Sequence, residues 1–361
     1  LLVHICCSVD SHYFLEKIQE EYPDEKLVGY FYDPNIHPYS EYALRFLDVQ
    51  YSCDRLGIEL LEGPYNLEAW LKSVKGLENE PEKGDRCTVC FDDRLSNSVE
   101  KAKELGHNKF TTTLLISPKK SQDKLDKIGH ELAEKHNMEF IFKDYRSGQG
   151  TQLQGEVVKK HSLYRQNYCG CIFGLSAQRE QQDKLMDEMF VSVNAQITPE
   201  SIEERLELYS KRNTYAKNNT PYKIIKQRFL NYRLLHGWVQ QKKQTIPSYI
   251  LCYSTINRNN TGGRIEYTHE GISYLNRDEV KLLDLNTFNA LAQTSYATIK
   301  ELYFHPLSFK QELEIRHHIT QNPYDLSAII VLEELNTERY DIKINAKTYD
   351  DVKEVIIKEN E

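Results

Sequence analysis

The sequence contains no apolar run approaching the about 20 residues that a membrane-spanning helix needs, which excludes a helical membrane protein. No internal repeat or low-complexity tract interrupts its 361 residues. Leu1 opens the chain inside an apolar segment, so the natural start is expected upstream. Leu1–Cys7 is too short for the core of a signal peptide, and a cytoplasmic protein is expected. Acidic residues are missing altogether between Glu207 and Glu266, although the net charge is −8. That total argues against a protein that coats nucleic acid indiscriminately. The gap instead isolates a basic segment holding Lys211, Arg212, Lys217, Lys223, Lys226, Arg228, Arg233, Lys242, Lys243, Arg258 and Arg264.

What is present in quantity is cysteine. A long chain in a reducing compartment uses close-set cysteines for metal or chemistry more often than for disulfides. Six of the eight fall in tight pairs: Cys6-Cys7, Cys87-x-x-Cys90 and Cys169-x-Cys171. Cys53 and Cys252 stand alone and read as small buried hydrophobes. A closed zinc site takes four ligands. Six sulfurs exceed that, and iron–sulfur clusters are held by thiolates.

Through residue 145 the pattern alternates strand and helix. Strands are expected over 1–6, 26–32, 58–61, 110–116 and 138–142, and helices over 11–22, 39–56, 67–74, 94–105 and 121–136. Repeated units of this kind predict an α/β fold with a parallel sheet covered by helices on both faces. Past Phe190 the pattern changes. Thr198-Pro199-Glu200-Ser201 opens a helix with a Ser201…Glu204 capping box, and helical periodicity runs to about Trp238. Strands are expected at 248–256, 264–267 and 328–332, with Asn259-Asn260-Thr261-Gly262-Gly263 as a turn. The expected organisation is a domain over 1–195 and an α+β extension over 196–361 that begins with the basic helical segment.

Cys6 and Cys7 sit where the first strand gives way to the first helix. Ligands of open α/β sheets bind beyond the strand ends, beside helix N-termini that favour thiolates. If that segment stays extended, the two side chains point to opposite sides and more easily serve two metal centres, or one centre and one catalytic role, than chelate one ion. Cys87 and Cys90 share a helix face at their three-residue spacing. Gly170 provides for a close backbone approach between Cys169 and Cys171. Asp10, one turn further along, is a candidate oxygen ligand. A carboxylate on a cluster iron exchanges more readily than a thiolate, leaving a Lewis-acidic position. Cys6-Cys7-Ser8-Val9-Asp10-Ser11 also looks like the SGGxDS phosphate loop of PP-loop (adenine nucleotide alpha-hydrolase-like) ATP pyrophosphatases. Both glycine positions hold cysteine here, so the close approach to pyrophosphate is lost while the fold can persist.

A longer set of motifs is more specific. His4-Ile5-Cys6-Cys7 with Asp10 is followed by Phe31-Tyr32-Asp33-Pro34-Asn35-Ile36-His37-Pro38-Tyr39. Then come Arg86-Cys87-x-x-Cys90-Phe91 with Arg94-Leu95, and Thr111-Thr112-Thr113-Leu114-Leu115. The last is Tyr164-Arg165-Gln166-Asn167-Tyr168-Cys169-Gly170-Cys171. In this order, over about residues 1–180, they resemble the QueH-type epoxyqueuosine reductases, a family usually little longer than that region.

The resemblance implies a PP-loop-like domain with a [4Fe-4S] cluster beside a second metal ion, iron or zinc. It implies reduction of epoxyqueuosine to queuosine at the wobble position of tRNA, with an external ferredoxin- or flavodoxin-like electron donor. Cys6, Cys7, Asp10, Cys87, Cys90, Cys169 and Cys171 are the expected metal and cluster ligands, their division between the two left open. His4, His37, Tyr164 and Tyr168 are candidate proton donors by motif placement. Arg165 is placed to meet tRNA phosphate or a carboxylate. In the extension Lys211, Arg212, Lys223, Lys226, Arg228 and Arg233 interleave with Tyr215, Tyr222, Phe229, Tyr232 and Trp238. Such a pattern suits phosphate binding and base stacking, while Trp238 itself is expected in the core. Two other readings compete, a zinc-stabilised RNA-binding module and an ATP-dependent PP-loop tRNA-modifying enzyme.

Overall fold

The structure, a computed structural model, describes residues 1–118, 120–258, 260–275 and 280–359. The chain forms two compact units. One comprises 1–189, 205–224 and the C-terminal residues from 356; the other comprises 190–204 and 225–355.

The first unit starts with β1 (Leu2–Ile5), α1 (Ser8–Glu21), β2 (Val28–Phe31), α2 (Tyr39–Leu56), β3 (Glu59–Glu62) and α3 (Leu67–Ser73). It continues with α4 (Asp85–Glu104), β4 (Lys109–Thr112), α5 (Gln122–His136), β5 (Glu139–Phe140), α6 (Gly150–Lys160) and α7 (Ile172–Gln181). All five strands are parallel, in the order β3-β2-β1-β4-β5. β1 is buried along its whole length, as a central parallel strand should be. Successive connections leave β1 in opposite directions, so a crevice opens beyond the carboxyl ends of β1 and β4, where α/β sheets bind ligands.

Most elements lie where the periodicity puts them, with three differences. α4 begins at Asp85 instead of Arg94, because extended Gly84 starts it and Asp85 puts a negative charge in its first turn. Cys87 and Cys90 therefore stand on its opening turns. The expected strand 110–116 ends at Thr112, whose Oγ1 accepts the Leu114 N–H at 3.1 Å and starts a 3-10 turn over Thr113–Ile116. The strand expected over 138–142 is two residues long.

The later elements are α8 (Ile202–Lys217), β6 (Tyr222–Gln241), β7 (Gln244–Ile246), β8 (Ser248–Ile250), β9 (Asn260–Gly263) and β10 (Ile265–His269). After them come β11 (Ile272–Leu275), β12 (Val280–Asp284), α9 (Leu285–Ala292), α10 (Ile299–Phe304), α11 (Phe309–Thr320), β13 (Ala328–Leu332) and β14 (Tyr340–Lys358). Two sheets result, in the orders β10-β11-β12-β13-β8 and β7-β6-β14-β9. The first is antiparallel apart from the β12–β13 pair. Two expectations are corrected here. The basic segment is not helical to Trp238: the helix stops at Lys217, and Tyr222–Gln241 is one long strand. Asn218-Asn219-Thr220-Pro221 breaks the helix, and Leu230, Tyr232 and Leu234 then repeat with the period of two that suits a strand. The expected turn at Asn259–Gly263 is also displaced. Asn259 lies outside the described residues, and Asn260–Gly263 is β9, antiparallel to β14. A Cβ on Gly262 would stand 2.7 Å from Asp341 Oδ1 and 2.9 Å from the Tyr340 carbonyl, so this glycine serves close strand approach.

Candidate active site and metal centre

At Cys6 the chain leaves β1 and bends, and Cys7 is the residue before α1. Strand alternation lapses at that bend. Contrary to the expectation of opposite directions, the two sulfurs lie together, 3.6 Å apart. Asp10, in the first turn of α1, brings Oδ2 to 3.5 Å from Cys7 Sγ and 3.9 Å from Cys6 Sγ. All three are buried. Each neighbour of this trio is fixed in turn. Gln154 Nε2 on α6 donates to Asp10 Oδ1 at 3.1 Å and to the Val9 carbonyl at 2.9 Å. Gln166 Nε2 donates to Cys7 Sγ at 2.9 Å. Thr113, on the turn after β4, accepts the Cys6 N–H at 3.3 Å through Oγ1.

The trio borders a cavity of ≈ 180 Å³ that is also lined by Asp33, Arg45, Arg94, Lys120, Asn167, Tyr168 and Cys169. Lys120 Nζ is 2.9 Å from Cys169 Sγ. Burial pushes the Cys169 thiol up, but Lys120, with Arg94 and Arg45 behind it, outweighs burial and the net shift is downward. Cys7 is held up by its hydrogen bond to Cys6 and by burial, and burial likewise raises Cys171 and lifts Cys90 to about 12. Cys90 and Cys171 share a small cluster with Trp70 and Val74. Cys90 interacts electrostatically with Cys169 and Cys171, and Arg94 with Cys90, Cys6 and Cys169. Cys87 accepts the Lys83 N–H at 3.3 Å. The two solitary cysteines, Cys53 and Cys252, are buried as expected.

The loop carrying Cys169 is tied to the loop after β2. His37 N–H donates to the Gly170 carbonyl at 2.9 Å, and Arg45 donates to the Tyr168 and Cys169 carbonyls at 2.9 and 3.1 Å. Gly170 has φ +104°, and a Cβ there would meet Ile36 Cγ1 at 2.8 Å. Both conditions require glycine.

The proton-donor candidates fare unequally. His4 is fully buried, with Nδ1 2.7 Å from Thr112 Oγ1 and Nε2 3.1 Å from the Tyr32 carbonyl, and burial keeps it neutral. Tyr164 donates to Glu41 at 3.0 Å, away from the cavity wall. His37 does not line the cavity either. Tyr168 does, but its hydroxyl donates to the His37 carbonyl at 2.7 Å. Asp33 is a lining acid that the sequence motifs did not single out. It pairs with Arg94, its Oδ2 is buried without a hydrogen-bond partner, and burial pushes its carboxyl up to about 7. Its place in Asp33-Pro34-Asn35 disguised it as a turn residue.

Two of the expected phosphate-binding residues are also corrected. Arg212 is fully buried, 2.6 Å from Asp48 Oδ1 and 3.0 Å from the Ser162 carbonyl. Arg233 is 3% exposed and donates to Asn231 and to the Tyr232 and Pro199 carbonyls. Neither is available to a phosphate. Arg165, Lys211, Lys223, Lys226 and Arg228 are exposed. Trp238, expected in the core, is only half-buried.

The sequence model of the family described as "Epoxyqueuosine reductase QueH" matches residues 1–177. An epoxyqueuosine reductase QueH of Helicobacter pylori is 40% identical over 360 residues, 96% of this chain and 97% of that protein. The chain belongs to the epoxyqueuosine reductase QueH family, a family of oxidoreductases. The QueH of Histophilus somni is 38% identical over 177 residues, 48% of this chain and 72% of the relative. That of Thermotoga maritima is 33% identical over 188 residues, 51% of this chain but 95% of the relative. The second half of this QueH member is thus shared with the Helicobacter protein, whereas the Thermotoga protein is nearly spanned by the first half alone.

Proposed function

We propose that the chain reduces epoxyqueuosine to queuosine at the wobble position of tRNA, in the cavity beyond β1 and β4. The observation that carries this is the convergence of Cys6, Cys7 and Asp10 on a cavity that Cys169 also lines. The donor set fits an iron–sulfur centre. Buried soft sulfurs whose charged form burial penalises, with Arg45, Arg94 and Lys120 beside them, suit thiolates that a metal keeps deprotonated. Cys6, Cys7, Cys87, Cys90, Cys169, Cys171 and Asp10 would together hold a [4Fe-4S] cluster and a second metal ion, iron or zinc. When bound, the cluster supplies single electrons from a ferredoxin- or flavodoxin-like donor and a Lewis-acidic iron for the epoxide oxygen.

The net reaction breaks both epoxide C–O bonds, forms a C=C bond and releases the oxygen as water, consuming two electrons and two protons. Asp33 supplies a proton from within the cavity, a role for which its unpartnered Oδ2 and its carboxyl, pushed up by burial to about 7, suit it. Arg94 orients it. Gln154 and Gln166 fix Asp10 and Cys7, and Tyr168 with Arg45 holds the Cys169 loop closed. Arg165, exposed and next to the lining residues Gln166 and Asn167, meets the tRNA backbone, as do Lys211, Lys223, Lys226 and Arg228 on their respective units. The strand order and the loop after β1 support a PP-loop-type unit whose nucleotide chemistry has been replaced. No helix among the described residues is long and apolar enough to cross a membrane, and a protein acting on tRNA belongs in the cytoplasm.

The test is anaerobic purification followed by turnover on tRNA carrying epoxyqueuosine. A brown protein containing iron and sulfide, with broad absorbance near ~400 nm, is expected to remove one oxygen from the modified nucleoside when reduced. An iron-free protein, or an intact cluster with unchanged nucleoside mass, defeats the proposal.

A further inference from the structure

On α1 a second cluster of ligating side chains stands apart from the cysteines. His12 and Glu16 are four residues apart, hence on one helix face. His161 follows the last turn of α6, and its ring stacks on that of His12 with centroids 4.3 Å apart and planes at 29°. One ligating atom from each of the three residues lies within 4.8 Å of the other two. His12 Nε2 and Glu16 Oε1 are 3.7 Å apart. This is too long for a hydrogen bond, yet close to the about 3.4 Å edge of a tetrahedron with zinc–nitrogen and zinc–oxygen bonds of ordinary length.

His12 carries the independent observation. It is 1% exposed, and its Nδ1 has no hydrogen-bond partner. A buried polar atom ordinarily has a hydrogen-bond partner, whereas Nδ1 of His12 has none and Nε2 meets Glu16 only at 3.7 Å. Glu16, with its side chain 33% exposed, opens the cluster to water. Although Asp10 is only two residues away, a two-residue step turns a helix by about 200°, and His12 is not among the residues lining the cysteine cavity.

We propose that His12, Glu16 and His161 form a thiolate-free site for a borderline divalent transition metal of the zinc class, separate from the metals of the cysteine centre. Two imidazoles and one carboxylate are the ligand set of open, water-bearing zinc sites, and they select zinc, cobalt, nickel or iron over magnesium and calcium. The positive side chains Arg55, Lys160 and Arg212 act on both rings. Their repulsion weakens cation binding at this site relative to one without positive neighbours.

The experiment uses the full chain with its cysteine centre loaded, dialysed against buffered Zn²⁺, with elemental analysis and the zinc X-ray absorption edge as readouts. The wild type is expected to take up one further zinc with nitrogen and oxygen neighbours only. Glu16→Gln and His161→Gln are each expected to bind it at least roughly tenfold more weakly, with iron content unchanged. Should His161→Gln also lose iron, Glu16→Gln, isosteric and partly exposed, decides alone. Uptake equal in the wild type and Glu16→Gln, or sulfur neighbours in the difference between the zinc-edge spectra taken after and before dialysis, overturns the site.

Discussion

The Lys120 ammonium lies 2.9 Å from the Cys169 sulfur, and among the charges around that thiol it has the largest downward effect. Burial alone would raise the thiol. Removing the ammonium in Lys120→Met therefore raises the Cys169 pKa and shrinks its thiolate fraction at pH 7. In metal-free protein, alkylation of Cys169 followed by mass spectrometry should slow several-fold, since each pKa unit is about a factor of ten in thiolate fraction. Unchanged labelling would mean that the pair does not set Cys169 reactivity.

Asp33→Asn removes the proton while leaving the shape of the side chain. Single-turnover reduction should fall by a factor on the order of 10². In the wild type the rate should decline as pH rises through about 7, because the carboxyl that burial has raised there loses its proton. The variant should lack that limb. A pH profile shared by variant and wild type would remove Asp33 from the chemistry.

Arg212→Met strands Asp48 as a buried charge whose only ion-pair partner among the described residues is gone. Breaking such a pair costs about 3–5 kcal/mol, visible as a lower midpoint in denaturant. The salt dependence of tRNA binding should not change, because Arg212 never meets solvent. A shallower salt slope at constant stability would contradict its assignment.

Lys223→Ala and Lys226→Ala should act the opposite way. Both residues are exposed, so stability should hold, while the slope of log affinity against log salt becomes less steep by about 1 for each phosphate that is no longer neutralised. Unchanged slopes in both would take β6 out of the tRNA interface.

Gly170→Ala should disturb the centre without touching a ligand. The left-handed φ and the 2.8 Å clash with Ile36 cost about 1–3 kcal/mol, and the Cys169 loop should loosen. Iron retained per chain after gel filtration should drop, and full retention would show that the loop tolerates the shift.

Much of the first unit was legible because local signals agree there. Tyr39–Leu56 is bounded by Pro38 before it and left-handed Gly57 after it, and the helix runs between them as expected. The grouping of Asp10 with Cys6 and Cys7 was legible for the same reason, the three being close in sequence. The sequence was silent where the deciding partner is remote. Arg212 reads as one more cation in a basic run until Asp48, 164 residues away, is brought against it. Asp33 reads as a turn residue until Arg94 and the cavity surround it. The neighbouring Cys6 and Cys7 misled because strand alternation was extended one residue past the bend that ends β1. β6 misled because its polar and apolar residues also satisfy a helical period over short windows, and only the break at Asn218–Pro221 separates the two.

The cavity wall draws on the segments after β1, β2 and β4, on the middles of α2 and α4, and on the loop that follows α6. Cys6, Cys7 and Asp10 come from one segment, but the residues that face them come from the others. The pocket as a whole therefore exists only once the sheet has closed around β1 and the 166–171 loop has docked, which makes it a product of tertiary folding and of no single local motif.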